Sequence, residues 1–123
     1  MRFRLFRFGG HQLALVRVAN GRSYILFFDL ADRRRTFSTS LTYADDRPAD
    51  WTVTDLVVGS TGNAAWMATP HDAGDRTTVW TRSRRKVQSI DSGRLRPGSL
   101  RLGADDVKVA YTDLEGHIRE SGF

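Results

Sequence analysis

Asp55-Leu56-Val57-Val58, then Gly59-Ser60-Thr61-Gly62, then Asn63-Ala64-Ala65-Trp66-Met67-Ala68-Thr69 follow one another in the middle of the chain. The flanking runs are apolar or β-branched and too short for helices, and the residues between them are small and turn-forming. That pattern predicts two antiparallel strands joined by a tight turn. Working outward in both directions, apolar and polar residues keep alternating with period two, and no window of helical length carries an apolar stripe of period 3.6. Strands are expected over 2–8, 12–18, 23–30, 35–41, 53–59, 63–69, 77–82, 87–91, 99–102, 107–112 and 117–121. Eleven short strands in 123 residues leave no room for helices, so the expected class is all-β.

The strands group into a recurring unit. The second strand of each proposed unit places an alanine before a large apolar residue: Ala14-Leu15, Ala65-Trp66 and Ala110-Tyr111. Each pair follows a small or acidic turn, and the next strand carries Phe27-Phe28, Val79-Trp80 or Ile118. The first two units continue through a basic turn into a fourth strand holding Phe37 or Ile90. Tyr43 to Asp50 reads as an insertion that shifts the register between the first two units. The chain is therefore expected to be one domain, 1–123, with units at about 2–41, 52–91 and 98–123 and a 4+4+3 strand count. A lone antiparallel meander cannot bury both faces, so such units must stack on one another. A β-sandwich with accidental internal similarity is the competing architecture.

The segments Tyr24-Ile25-Leu26-Phe27-Phe28-Asp29-Leu30, Asp55-Leu56-Val57-Val58 with Gly62-Asn63-Ala64-Ala65-Trp66, and Ser99-Leu100-Arg101-Leu102 with Val109-Ala110-Tyr111 resemble blades of TolB-like β-propeller repeats. The resemblance extends to uncharacterised actinobacterial propeller-like proteins, through Phe27-Phe28-Asp29-Leu30 and Arg34-Arg35-Thr36-Phe37. It implies propeller-like blades of four antiparallel strands and admits an extracytoplasmic location, although the amino-terminal residues lack the apolar run of a signal peptide. Two departures stand out: members of that kind have more blades, and Asp32 occupies a position where a turn glycine is usual. A closed propeller has four to eight blades. The expected ring is therefore incomplete in one chain and needs either self-association into a homo-oligomer or the remainder of a longer propeller. The third unit also lacks its outer strand, leaving an edge open to strand addition.

In an up-and-down unit, alternate turns fall at opposite ends, which sorts the charges. Arg33, Arg34, Arg35, Arg84, Arg85 and Lys86 are expected at one end with Asp105 and Asp106. The other end receives the longer connections 43–50, 70–76, 92–97 and 114–116, and with them Asp45, Asp46, Asp50, His71, Asp72, Asp75 and Glu115. Rigid scaffolds bind through such loops. Asp45, Asp46, Trp51, His71, Asp72 and Asp75 are accordingly the candidate ligand-binding residues, with Trp51 equally suited to the core. Their spacing matches no calcium loop or zinc pattern, and Asp, Pro and Gly also serve as turn formers there. The basic end could form a phosphate-binding or acidic-partner surface, and its plainer reading is charge that discourages sheets from aggregating.

Catalytic signatures are missing from the sequence. His11, His71 and His117 sit in different units, and there is no nucleophile elbow or phosphate-binding glycine loop. Cysteine is absent, which excludes thiol chemistry and disulfides. The net charge of +5, mostly arginine, permits a polyanionic partner but is a weak signal, so nucleic acid is an unlikely partner; no run approaches the ~20 apolar residues of a membrane helix. The expected function is a non-enzymatic propeller-type assembly or protein-binding module without a cofactor. A lectin-like scaffold for small molecules or glycans, using the acidic loops, is the alternative, and a hydrolase comes third.

Overall fold

The computed structural model describes residues 2–19, 22–31, 34–40, 51–70, 76–83 and 86–123; at 2–6, 8, 19, 22 and 34–40 only the backbone is described. These residues are all-β, with eleven strands and no helix, and so include no helix long and apolar enough to cross a membrane. The first sheet holds β1 (Arg2–Gly9), β2 (Gln12–Ala19), β3 (Arg22–Asp29) and β4 (Arg34–Ser40) in sequential order. The second holds β5 (Trp51–Val58), β6 (Ala64–Pro70), β7 (Thr77–Ser83) and β8 (Lys86–Gly93), again in sequence. The third holds only β9 (Arg101–Leu102), β10 (Lys108–Thr112) and β11 (Ile118–Gly122). All pairings are antiparallel and no sheet closes on itself.

The central hairpin shows why the local sequence folds this way. Val58 pairs with Ala64 and Leu56 with Trp66, while Gly62 adopts φ 91° in the turn, a left-handed conformation that side chains disfavour. The register slips between Val53 and Asp55, a bulge that turns Asp55 away from simple alternation.

The second sheet has apolar residues on both faces because both are covered. Ala64, Trp66 and Ala68 share a core cluster with Ala14, Val16, Ile25 and Phe27 of the first sheet. The intervening Ala65 and Met67 join Val79 in a second cluster with Leu95, Leu100, Val109 and Tyr111 on the other side. Residues 64–68 are therefore all buried, and β6 has no polar face. Small and large side chains interlock here as dense packing requires. Phe27 tilts against Trp66 with ring centroids 6.1 Å apart, and Trp66 stacks on Trp80 at 6.4 Å and 17°.

The first strands of the sheets also touch, β1 against β5 and β5 against β9. Their ends meet so closely that a Cβ added to Gly9 would collide with the Val58 carbonyl. Beside them, Asp106 (φ 60°) accepts the Ser60 backbone N–H at 3.0 Å through Oδ2, and its own carbonyl accepts from Asn63 Nδ2 at 3.0 Å. The turns 59–62 and 103–107 are thereby fastened at one end of the stack.

The third sheet departs from the expected strand limits. The run predicted over 99–102 pairs only at Arg101 and Leu102. The preceding residues are an irregular connection whose Leu95 and Leu100 are each 1% exposed. Burial of these two leucines, with Leu95 bridging to Asp113, takes the place of a regular ladder.

Candidate functional site

Two hairpin elements and one neighbouring strand build the densest polar cluster, at the end where β10 turns into β11. Asp113 begins the turn. Its Oδ1 accepts backbone N–H groups of Glu115 at 3.0 Å and His117 at 2.9 Å, and Gly116 closes the turn at φ 93°. This is an Asx-type turn, in which a short carboxylate stands in for a backbone acceptor. Tyr111 and Arg119 are directly opposite one another on β10 and β11 and both face the second sheet. Tyr111 donates its hydroxyl to Asp91 Oδ2 at 2.9 Å, and Arg119 Nη1 donates to the same oxygen at 2.9 Å. Arg119 Nη2 then reaches Asp113 Oδ2 at 3.3 Å.

The titration of these groups follows from their contacts. Partial burial pushes the Asp91 carboxyl up, but hydrogen bonds from Arg119 and Tyr111 with the Arg119 charge outweigh it and leave Asp91 below the usual range. Burial, reinforced by the Asp91 hydrogen bond and charge, pushes the Tyr111 phenol up to about 12. Asp113 is held low, first by the His117 backbone N–H. Arg119 is raised by its hydrogen bond to Asp91 and by that carboxylate's charge. At neutral pH the cluster contains a neutral phenol, two carboxylates and a guanidinium, each already bonded. Chemically it is a clasp between sheets, with neither a phenolate nor a protonated carboxyl to offer.

Asp113, Glu115 and His117 bring one ligand atom each within 4.8 Å of one another, which is compact enough for a cation. His117 Nδ1 lies 3.4 Å from Asp113 Oδ2 and 3.9 Å from Glu115 Oε2. The Arg119 guanidinium already faces Asp113 Oδ2 and opposes a second positive charge there.

Of the residues expected to bind ligand, Trp51 is 6% exposed and lies in the core between the first two sheets, edge-on to Trp80 at 4.9 Å and 80°. The core member of its two readings is the one that matches this placement. Asp45, Asp46, His71, Asp72 and Asp75 lie outside the described residues, as does Asp50. Arg33, Arg84 and Arg85 do too, the side chains of Arg34 and Arg35 are not described, and Lys86 is exposed at the start of β8. Asp105 and Asp106 line a shallow cleft of about 490 Å³ with Thr61, Asn63, Ser83, Val107 and Phe123. A second groove of about 200 Å³ follows the first strands, between Arg7, Asp55 and Arg101. Asp55 is 7% exposed there, and its two oxygens accept the backbone N–H groups of Gly98 at 2.8 Å and Leu100 at 3.0 Å.

Sequence reasoning placed Glu115 at this end but missed the clasp. Asp91 is 20 residues from Tyr111 and 28 from Arg119, so no local spacing announces it. No family model, curated protein or solved structure matches this chain.

Proposed function

We propose that this chain is a non-enzymatic, β-propeller-type assembly module, related to TolB-like repeats, whose ring is completed by self-association or by further chain of a longer protein. One observation carries the reading: among the described residues, the second sheet is covered on both faces, whereas the first and third sheets each have only one face in a core cluster. Sheets stacked face to face, with contacts between β1 and β5 and between β5 and β9, are what successive blades around an axis require. The grouping of strands into sheets of four, four and three supports the same picture. The best-defined polar cluster holds one sheet to the next, which favours an architectural role over a catalytic one.

Sedimentation equilibrium of the purified chain tests the proposal. A mass of two or more 13.9 kDa chains is expected. A folded particle that stays at 13.9 kDa across the accessible concentration range would count against self-association.

A further inference from the structure

We infer that two copies of this chain join head to tail, the outward face of the third sheet of each docking on the outward face of the first sheet of the other. The inference rests on the assembly reading above and specifies its partner and its surfaces.

Strand register identifies both faces. In the first sheet, Ala14 and Val16 pair with Phe27 and Ile25 and turn toward the second sheet. Leu13, Leu15 and Arg17 therefore turn the other way, together with their partners Phe28, Leu26 and Tyr24. No core cluster of the described residues joins that face to another sheet. In the third sheet, Val109 and Tyr111 turn toward the second sheet. Ala110 and Thr112, with Glu120 and Ile118 opposite them and Arg101 beside Ala110, face outward, and Ile118 is 74% exposed.

These two faces repeat a relationship found twice inside the chain. At the first internal junction small Ala14 faces the cluster of Trp66, and at the second Ala65 faces that of Tyr111. The third sheet presents the next small residue, Ala110, and the first sheet presents the large residue that has no predecessor, Leu15. A contact of face upon different face is heterologous and either closes into a ring or runs on as a filament. Two chains of three sheets supply six, within the four-to-eight range of closed propellers.

Charge points to the same occupant, and area sets the strength of the contact. Arg17 has its Nε buried without a hydrogen-bond partner among the described residues, its guanidinium 6.0 Å from the Tyr24 ring centroid. It stands three residues beyond Ala14. Three residues beyond Ala110 is Asp113, which opens the turn carrying Glu115, whose side chain is 69% exposed. Docking the faces in the internal register brings the Arg17 cation to that turn. The third-sheet face, two strands of five residues and one of two, measures about 200 Å². One contact then buries roughly 400 Å², too little for a stable complex, and a closed pair makes two contacts and buries about 800 Å², in the range of weak, transient association. Closure also makes the second contact intramolecular, which favours a discrete pair over open growth.

The test is sedimentation equilibrium on the full chain and on variants whose fold is checked by circular dichroism. Wild type is expected at twice 13.9 kDa. Leu15→Glu and Ala110→Glu, on opposite faces, are each expected to weaken the pair by at least about 100-fold, because each buries an uncompensated charge in both contacts. Should Leu15→Glu fail to fold, Arg17→Glu probes the same face, and the double variant Arg17→Glu with Glu115→Arg is expected to recover affinity. A wild-type pair broken by only one of the two faces means like-with-like association, which overturns this inference and leaves the assembly reading standing. Open-ended polymers overturn ring closure, and a monomeric wild type overturns this inference together with self-association, leaving only completion by further chain.

Discussion

Arg119 of β11 and Asp91 of β8 meet at 2.9 Å across the boundary between the third and second sheets. The third sheet has only three strands, one of them two residues long, and little ladder of its own. Tyr111 donates to the same carboxylate oxygen from the core side, so a buried phenol and a surface cation converge on one acceptor. Removing the phenol hydroxyl isolates one arm of this clasp. Tyr111→Phe keeps the ring in the apolar cluster and loses one hydrogen bond to a charged acceptor, for an expected cost of about 1.5 kcal/mol in urea unfolding. An unchanged unfolding midpoint would show that the hydroxyl contributes nothing.

The same clasp gives stability a pH dependence at both extremes. Asp91 has a folded pKa below its unfolded value, so its contribution is complete above the unfolded carboxyl pKa of about 3.9 and fades as pH falls through the folded one. Tyr111 lies at about 12 when folded, above the unfolded value of about 10. Its contribution is present below the unfolded value and is lost as pH rises through the folded one. Melting temperature measured against pH should therefore decline at both ends, and Tyr111→Phe should flatten the alkaline decline. Phenolate absorbance should show a late-titrating step in the wild type that the variant lacks.

Asp55 is a second tie, made to backbone donors. Its carboxylate receives the N–H groups of Gly98 and Leu100 and so fixes the connection into β9 against the bulge in β5. Asp55→Ala leaves both donors without their acceptor near a buried leucine, and the expected loss is about 3 kcal/mol. Asp55→Asn retains one acceptor oxygen and should lose about half as much. Equal losses for the two variants, measured by urea unfolding, would mean that charge rather than acceptor count sets the effect.

These ties mark the limit of what the sequence discloses. The hairpin at 55–69 is legible because β-branched residues alternate around a glycine-punctuated turn, signals that act within a few residues. Trp66 and Tyr111 read as core because they recur at matching positions of the repeated unit. By contrast, Asp55 reads as one more polar residue in an alternating strand until the bulge reveals where it points, and its acceptor role spans 43 and 45 residues. The third sheet's β9 is shorter than the expected 99–102 because Leu100 looks like a strand residue but is buried within an irregular connection. Cross-sheet contacts depend on how whole sheets stack, and no periodicity within one strand encodes that.

Close approach of backbones gives the next prediction. A Cβ at Gly9 would strike the Val58 carbonyl, backbone that cannot swing aside, whereas one at Gly62 meets nothing within 4 Å and is opposed only by φ 91°. Gly62→Ala should therefore cost about 1 kcal/mol, the penalty of a left-handed residue. Gly9→Ala must move β1 relative to β5 and should cost at least about 3 kcal/mol, comparable to overpacking a core. A reversed order in chemical denaturation would show that the first two sheets separate easily at this end.

The first two sheets meet on Trp66, which is fully buried between Phe27 and Trp80. Trp66→Ala removes a fully buried indole from that cluster and leaves a cavity that flanking Ala64 and Ala68 cannot fill, so a loss of about 4 kcal/mol is expected. Trp66→Phe retains a ring and should lose about half of that. Because Trp66 faces the first sheet while Ala65 and Met67 face the third, hydrogen exchange should register the loss unevenly. Amides of β2 and β3 should lose protection in Trp66→Phe before those of β10, and simultaneous loss across all three sheets would show that they unfold as one cooperative body.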